Sequence, residues 1–116
     1  HHDWLAAHMM AAQILIVDDE PHIRRLLEAA VSRGGYRTLA ATCAREAIHL
    51  ADTHAPDGAL VELGLPDRDG IELVARFARR GMAVIVVSAR DATAEKIAAL
   101  DLGAADYVVK PFDTDE

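Results

Sequence analysis

Four short apolar runs in this chain each end in a residue able to do chemistry. Gln13-Ile14-Leu15-Ile16-Val17 leads into Asp18-Asp19, and Gly58-Ala59-Leu60-Val61 leads into Glu62. Ala83-Val84-Ile85-Val86-Val87 leads into Ser88, and Tyr107-Val108-Val109 into Lys110. Two or three acids, a hydroxyl and one ammonium outline a phosphate-and-metal site. Carboxylates hold a hard cation, while the ammonium and the hydroxyl meet phosphoryl oxygens. Glu62 is the pivotal residue. Behind it lies Gly64-Leu65-Pro66-Asp67-Arg68-Asp69-Gly70, a loop that cannot continue a strand. Glu62 therefore belongs at the carboxyl end of its strand, where open α/β sheets bind ligands.

The elements between these runs are helical. Pro21 suits the first turn of a helix capped by Asp19 or Glu20, and Ile23, Leu26, Leu27, Ala30 and Val31 form one stripe along it. Gly34-Gly35 ends that helix, and Tyr36 to Ala41 alternates weakly, as an outer strand would. Thr42 can cap a second helix carrying Ala44, Ala47, Ile48 and Ala51, stopped before Pro56. Ile71, Val74, Ala75 and Ala78 mark a third helix, closed by Gly81. A fourth begins at Asp91 or Thr93 and runs through Ile97, Ala98 and Leu100 to Gly103. Strand and helix alternate throughout, which predicts an α/β fold with a parallel sheet. Five strands with four helices leave one face of the sheet under a single helix. Asp113-Thr114-Asp115-Glu116 has the composition of a helix start, so the chain reads as cut short of a fifth helix.

Composition narrows the function. The chain has 116 residues, 52% apolar and 4% aromatic, which fits one domain with an aliphatic core. Its 19 acids against 12 bases, net −7, argue against nucleic-acid binding by this domain itself. No apolar run approaches the ~20 residues that span a bilayer. The single Cys43 allows no internal disulfide, in keeping with a cytoplasmic protein, and nothing marks it as a nucleophile. His22, His49 and His54 have no acid or cysteine at ligand spacing and read as solvated. Residues 1–9 look like a tag remnant or a disordered end, which leaves 10–116 as the domain.

Val17-Asp18-Asp19-Glu20, Glu62 with Gly64-Leu65-Pro66, Val87-Ser88-Ala89, and Tyr107-Val108-Val109-Lys110-Pro111-Phe112 resemble, in order and spacing, the receiver domains of response regulators. The resemblance covers about residues 12–113. Gly64 to Gly70 and Ser88-Ala89-Arg90 are similar to the DNA-binding branch, including the Kdp potassium-transport regulators. It implies a doubly wound, flavodoxin-like sheet of order 2-1-3-4-5. It also implies Mg²⁺ (or Mn²⁺) held by Asp18, Asp19, the carboxylate at 62 and the Gly64 carbonyl. Ser88 and Lys110 would contact phosphoryl oxygens, and Tyr107 would change rotamer with Ser88 as the site fills. The implied role is regulatory rather than enzymatic. A histidine kinase would be the donor, and the fourth helix and fifth strand would form a homodimer face. DNA would be bound only through a domain beyond Glu116.

One residue departs from that family. The acceptor there is an aspartate, and this chain has Glu62. The extra methylene moves the carboxylate by about 1.5 Å, enough to spoil in-line attack and to place charge where phosphoryl oxygens would sit. Phosphorylation is then lost or imitated, in a natural receiver-like domain or in an engineered Asp→Glu variant. A phosphate-independent interaction module is the alternative. A small Mg²⁺-dependent phosphohydrolase is a further one, although no second acid stands ready as general acid in the loop after Glu62.

Overall fold

The computed structural model of the chain describes residues 11–89 and 93–110. The expected tag remnant, the Arg90 and Asp91 positions, and Pro111 to Glu116 lie outside the described residues. The strands are β1 (Gln13–Val17), β2 (Arg37–Ala41), β3 (Gly58–Val61), β4 (Ala83–Ser88) and β5 (Asp106–Val109). The helices between them are α1 (Pro21–Arg33), α2 (Ala44–His54), α3 (Ile71–Arg79) and α4 (Thr93–Asp101). All neighbouring strands are parallel, in the order β2-β1-β3-β4-β5. The doubly wound sheet read from the sequence is the one observed.

The strands are rich in Val, Ile, Leu and Ala because both faces of a parallel sheet lie under helices. On one face Leu15, Val17, Ala59, Val61, Val84, Val86 and Tyr107 form the main core with α2, α3 and α4. Helix α2 presents Ala44, Ala47 and Ala51, small residues that let it lie close to the sheet. Helix α3 differs from expectation. Its buried residues are Leu73, Val74 and Phe77 rather than a stripe through Ile71, Ala75 and Ala78. The two large side chains at i and i+4 set its contact face, and the smaller alanines fall to the flank.

The opposite face carries α1. Ile23 is buried there, but Leu26 stays 42% exposed, although the 3.6-residue pattern placed it in the stripe. Beside α1 runs an apolar groove of about 430 Å³, lined by residues that include Ile14, Val31, Leu60 and Ile85. Among the described residues no second helix lies over this face.

Turn chemistry explains the helix ends. Gly35, Gly81 and Gly103 all have positive φ, at 92°, 83° and 112°, as a chain leaving a helix often requires. At the start of α2 the cap is not Thr42. The N-cap position is Cys43, with no side-chain cap of its own, and the Thr42 amide donates to Glu46 Oε1 at 2.6 Å. Gly70 is required for a different reason. A Cβ there would collide with the Glu62 carbonyl oxygen and lie 2.8 Å from Leu63 Cα, so the loop after Glu62 can fold back only on a glycine.

Candidate functional site

Parallel register brings the chemically active residues to one edge of the sheet. Val17 pairs with Val61, Val61 with Val86, and Ser88 with Val109. The next residue of each strand is then tied to its neighbour by the backbone. The Asp18 amide donates to the Ala41 carbonyl at 3.1 Å, Glu62 to Val17 at 3.0 Å and Lys110 to Ser88 at 2.7 Å. Asp18, Glu62 and Ser88 are the buried polar residues among those described, and all stand at this edge.

Lys110 closes the cluster. Its Nζ lies 2.6 Å from Glu62 Oε1, 3.0 Å from Asp18 Oδ2 and 3.6 Å from Glu20 Oε1. Its side chain is 6% exposed. The other Glu62 oxygen, Oε2, accepts from the Gly64 amide at 3.2 Å. Glu62 thus has one oxygen on a cation and one on a backbone donor. Asp18 Oδ1 accepts from the Glu20 amide at 2.9 Å. Asp18 Oδ2 faces Lys110 without a well-directed hydrogen bond to it.

Burial raises the Asp18 carboxyl above the ordinary aspartate value, and the Glu20 amide and Lys110 only partly counter it. For Lys110 the burial effect would lower the pKa. It is outweighed by the contacts with Glu62 and Asp18 and by their charges, and the ammonium ends above the ordinary lysine value. One buried cation therefore holds two buried carboxylates together.

The remaining residues named from the sequence lie around this cluster. Asp19 is exposed beside the cluster, and Gly64 is exposed at the start of the loop. Ser88 is buried at the end of β4, and Tyr107 is buried on β5 opposite Val86. Among the described residues no three His, Cys, Asp or Glu side chains are placed together to hold a metal ion. The contacts of three residues were not legible in the sequence. Arg24 Nη1 donates to the Asp18 carbonyl at 2.9 Å, Glu20 reaches toward Lys110, and Asp67 accepts from the Ala44 and Arg45 amides at 2.9 Å each. Arg24 is the nearest to legible, because one turn of helix returns its long side chain to the preceding strand end.

Residues 14–116 match the response regulator receiver domain. The chain belongs to that family. The transcriptional regulatory protein KdpE of Mycobacterium tuberculosis is 42% identical over 106 residues, a span of 89% of this chain and 46% of that protein. KdpE of Escherichia coli is 48% identical over 101 residues, covering 85% and 44%. The virulence regulator PhoP of Salmonella typhimurium is 39% identical over 106 residues, covering 90% and 47%. The chain spans less than half the length of these relatives. A CheY-like receiver domain from Methanospirillum hungatei superposes with a TM-score of 0.81 at 30% identity, over 89% of this chain and 84% of its own. A receiver domain from Francisella superposes at 0.78 with 31% identity, over 90% and 88%.

In this receiver domain the ion cluster sets a stability test. Lys110→Met leaves two buried carboxylates without their cation, and unfolding in urea at neutral pH should show a loss of about 3 kcal/mol. Adding Asp18→Asn should recover part of it. The sign with pH follows from the raised Lys110 value. Its contribution is fully present below the ordinary lysine pKa and is lost as pH rises through the higher folded-state value. The gap between the parent and Lys110→Met should therefore close in alkali, and it should narrow in acid too, where protonation of the raised Asp18 carboxyl does what Asp18→Asn does.

Proposed function

We propose that this chain is the receiver domain of a two-component transcription regulator in which Glu62 takes the place of the phosphoacceptor aspartate. Phosphoryl transfer to it is lost, and its carboxylate partly imitates the phosphorylated state. The observation that carries this reading is the engagement of Glu62, with Oε1 on Lys110 at 2.6 Å and Oε2 on the Gly64 amide at 3.2 Å. A cation and a backbone donor are the partners a phosphoryl group would need. Glu62 supplies about one negative charge where a phosphoryl group brings nearly two, so the active form is favoured without being saturated.

Asp18, Asp19, Glu62 and the Gly64 carbonyl would supply oxygen ligands only, the chemistry that Mg²⁺ or Mn²⁺ takes. Asp18 Oδ2, buried with the Lys110 ammonium at 3.0 Å, would be shared between that ammonium and the metal. The metal would supply positive charge to offset an incoming phosphoryl group. A Burkholderia pseudomallei response regulator with the same fold, 24% identical and superposing at 0.80, is described with a phosphorylated aspartic acid and a calcium ion.

Ser88 and Lys110 would contact phosphoryl oxygens, and Tyr107 and Ser88 would report the switch. The domain would work in the cytoplasm, and a histidine kinase would be the donor where phosphorylation is retained. Dimerisation through α4 and β5 is supported by the exposure of Ile97, Leu100, Leu102, Val108 and Val109. DNA would be bound by a further domain, in keeping with the length of the KdpE and PhoP relatives. A phosphate-independent interaction module is the second reading, favoured by the same occupied Glu62. A hydrolase is disfavoured, because the would-be nucleophile is held by Lys110.

Two measurements test this. Incubation with acetyl phosphate and Mg²⁺ should add no phosphoryl mass to the parent chain, while Glu62→Asp should gain one. A stoichiometric adduct on Glu62 would refute the reading. Mg²⁺ should raise the melting temperature, since it binds only the folded site. Asp19→Asn should remove most of that rise, and the exposed Asp101→Asn should keep it. Equal responses from the two variants would place the metal elsewhere.

A further inference from the structure

Helix α2 begins without a cap of its own. Cys43 stands at the N-cap in extended conformation, φ −155° and ψ 169°, and its side chain makes no cap hydrogen bond. The first orphan amides of the helix are instead satisfied from a distance. Asp67 Oδ1 accepts from Ala44 and Oδ2 from Arg45, both at 2.9 Å. These amides hold the Asp67 carboxyl below the ordinary aspartate value, with a smaller contribution from the Cys43 thiol. Asp67 sits at the exposed outer turn of the loop that leaves Glu62.

The root of that loop has its own bonds. Gly64 and Asp69 form an isolated bridge, the Leu65 and Gly70 amides donate to the Leu63 carbonyl at 3.0 and 2.7 Å, and Asp69 accepts from Ile71 at 3.1 Å. Asp67 adds a tie to a different element. For helix stability alone, a serine or aspartate at position 43 would serve as well. An acid on the site loop performs the same capping and fixes the loop too.

We propose that Asp67 is a positioning residue of the acid site, clamping the loop after Glu62 to the N-terminus of α2 so that the Gly64 amide stays on the Glu62 carboxylate. Its functional meaning rests on the reading of Glu62 given above, but its structural test does not. The same clamp makes the start of α2 answer to whatever occupies the site, because the loop cannot shift without pulling on Ala44 and Arg45.

The test separates a cap from a clamp. The Gly64 amide proton shift is recorded in the parent chain and in Glu62→Gln, which marks the weakened contact. It is then recorded in Asp67→Ala, in Asp67→Ala with Cys43→Asp, and in Asp67→Asn. Asp67→Ala should lower the melting temperature and move the Gly64 shift toward its Glu62→Gln position. Adding Cys43→Asp gives α2 a local cap, and should recover the melting temperature while leaving the Gly64 shift displaced. Asp67→Asn, which keeps one acceptor oxygen, should fall between parent and alanine, and it decides the matter if the alanine variant does not fold. A Gly64 shift that returns to the parent value with the local cap, or that never moves, would overturn the clamp. In a Glu62→Asp background, Asp67→Ala should slow labelling by acetyl phosphate several-fold. If Glu62→Asp alone takes no label, the phosphate reading fails, and the Gly64 shift still decides the role of Asp67.

Discussion

A single buried ammonium between two buried carboxylates governs this structure. Asp18 and Glu62 stand at adjacent strand ends because β1 and β3 are paired in parallel register. Left alone there, they would repel each other in a poorly solvated place. Lys110 at 3.0 and 2.6 Å makes the arrangement tolerable, and its own raised pKa records the reciprocal gain. The net worth of such a cluster is small next to an apolar replacement, since three ions have left water. Its retention is therefore a functional signal more than a structural one. A sheet edge that spends burial on charge is prepared for a charged visitor.

The surroundings hold that edge still. Backbone hydrogen bonds fix Asp18, Glu62 and Lys110 to their neighbouring strands. Gly70 lets the following loop fold against the Glu62 backbone where any side chain would clash. Asp67 ties the outer turn of that loop to α2. The loop that leaves Glu62 is thereby bonded to two helices, α2 through Asp67 and α3 through Asp69 and Gly70. The two sheet faces contribute unequally. The α2–α3–α4 face is packed with Leu, Val, Ala and Phe77, whereas the α1 face retains an apolar groove.

Most of the fold was legible in the sequence, for a clear physical reason. Runs such as Ala83 to Val87 have one reading as buried parallel strands, and the helices between them carry glycine stops at Gly35, Gly81 and Gly103. The strand ends followed directly, so Asp18, Glu62, Ser88 and Lys110 were named from position alone. What escaped was contact between elements. Asp67 looked like a turn residue because its partners, Ala44 and Arg45, lie in another helix and leave no trace in local spacing. Leu73 and Phe77 were passed over because a periodic stripe says where a face points, not how it is centred on the sheet. Leu26 failed in the opposite sense, as a well-placed apolar residue whose face had too little to meet. The direction of the Glu62 side chain was partly legible, since the sequence placed its charge where phosphoryl oxygens would sit, near Ser88 and Lys110. The contacts seen for its two oxygens are Lys110 and the Gly64 amide.

Lys96 and Lys110 are the lysines of this chain, and Lys96 is exposed on α4. Chain labelled with ¹³C at the lysine ε-carbon therefore yields two signals, which Lys96→Arg assigns, and Lys110 can be followed through an alkaline titration. The Lys110 signal should titrate above the ordinary lysine value in the parent protein, and Glu62→Gln should bring it down. A Lys110 midpoint at or below the ordinary lysine value, or one unmoved by Glu62→Gln, would contradict the buried ion cluster on which the reading of this site depends.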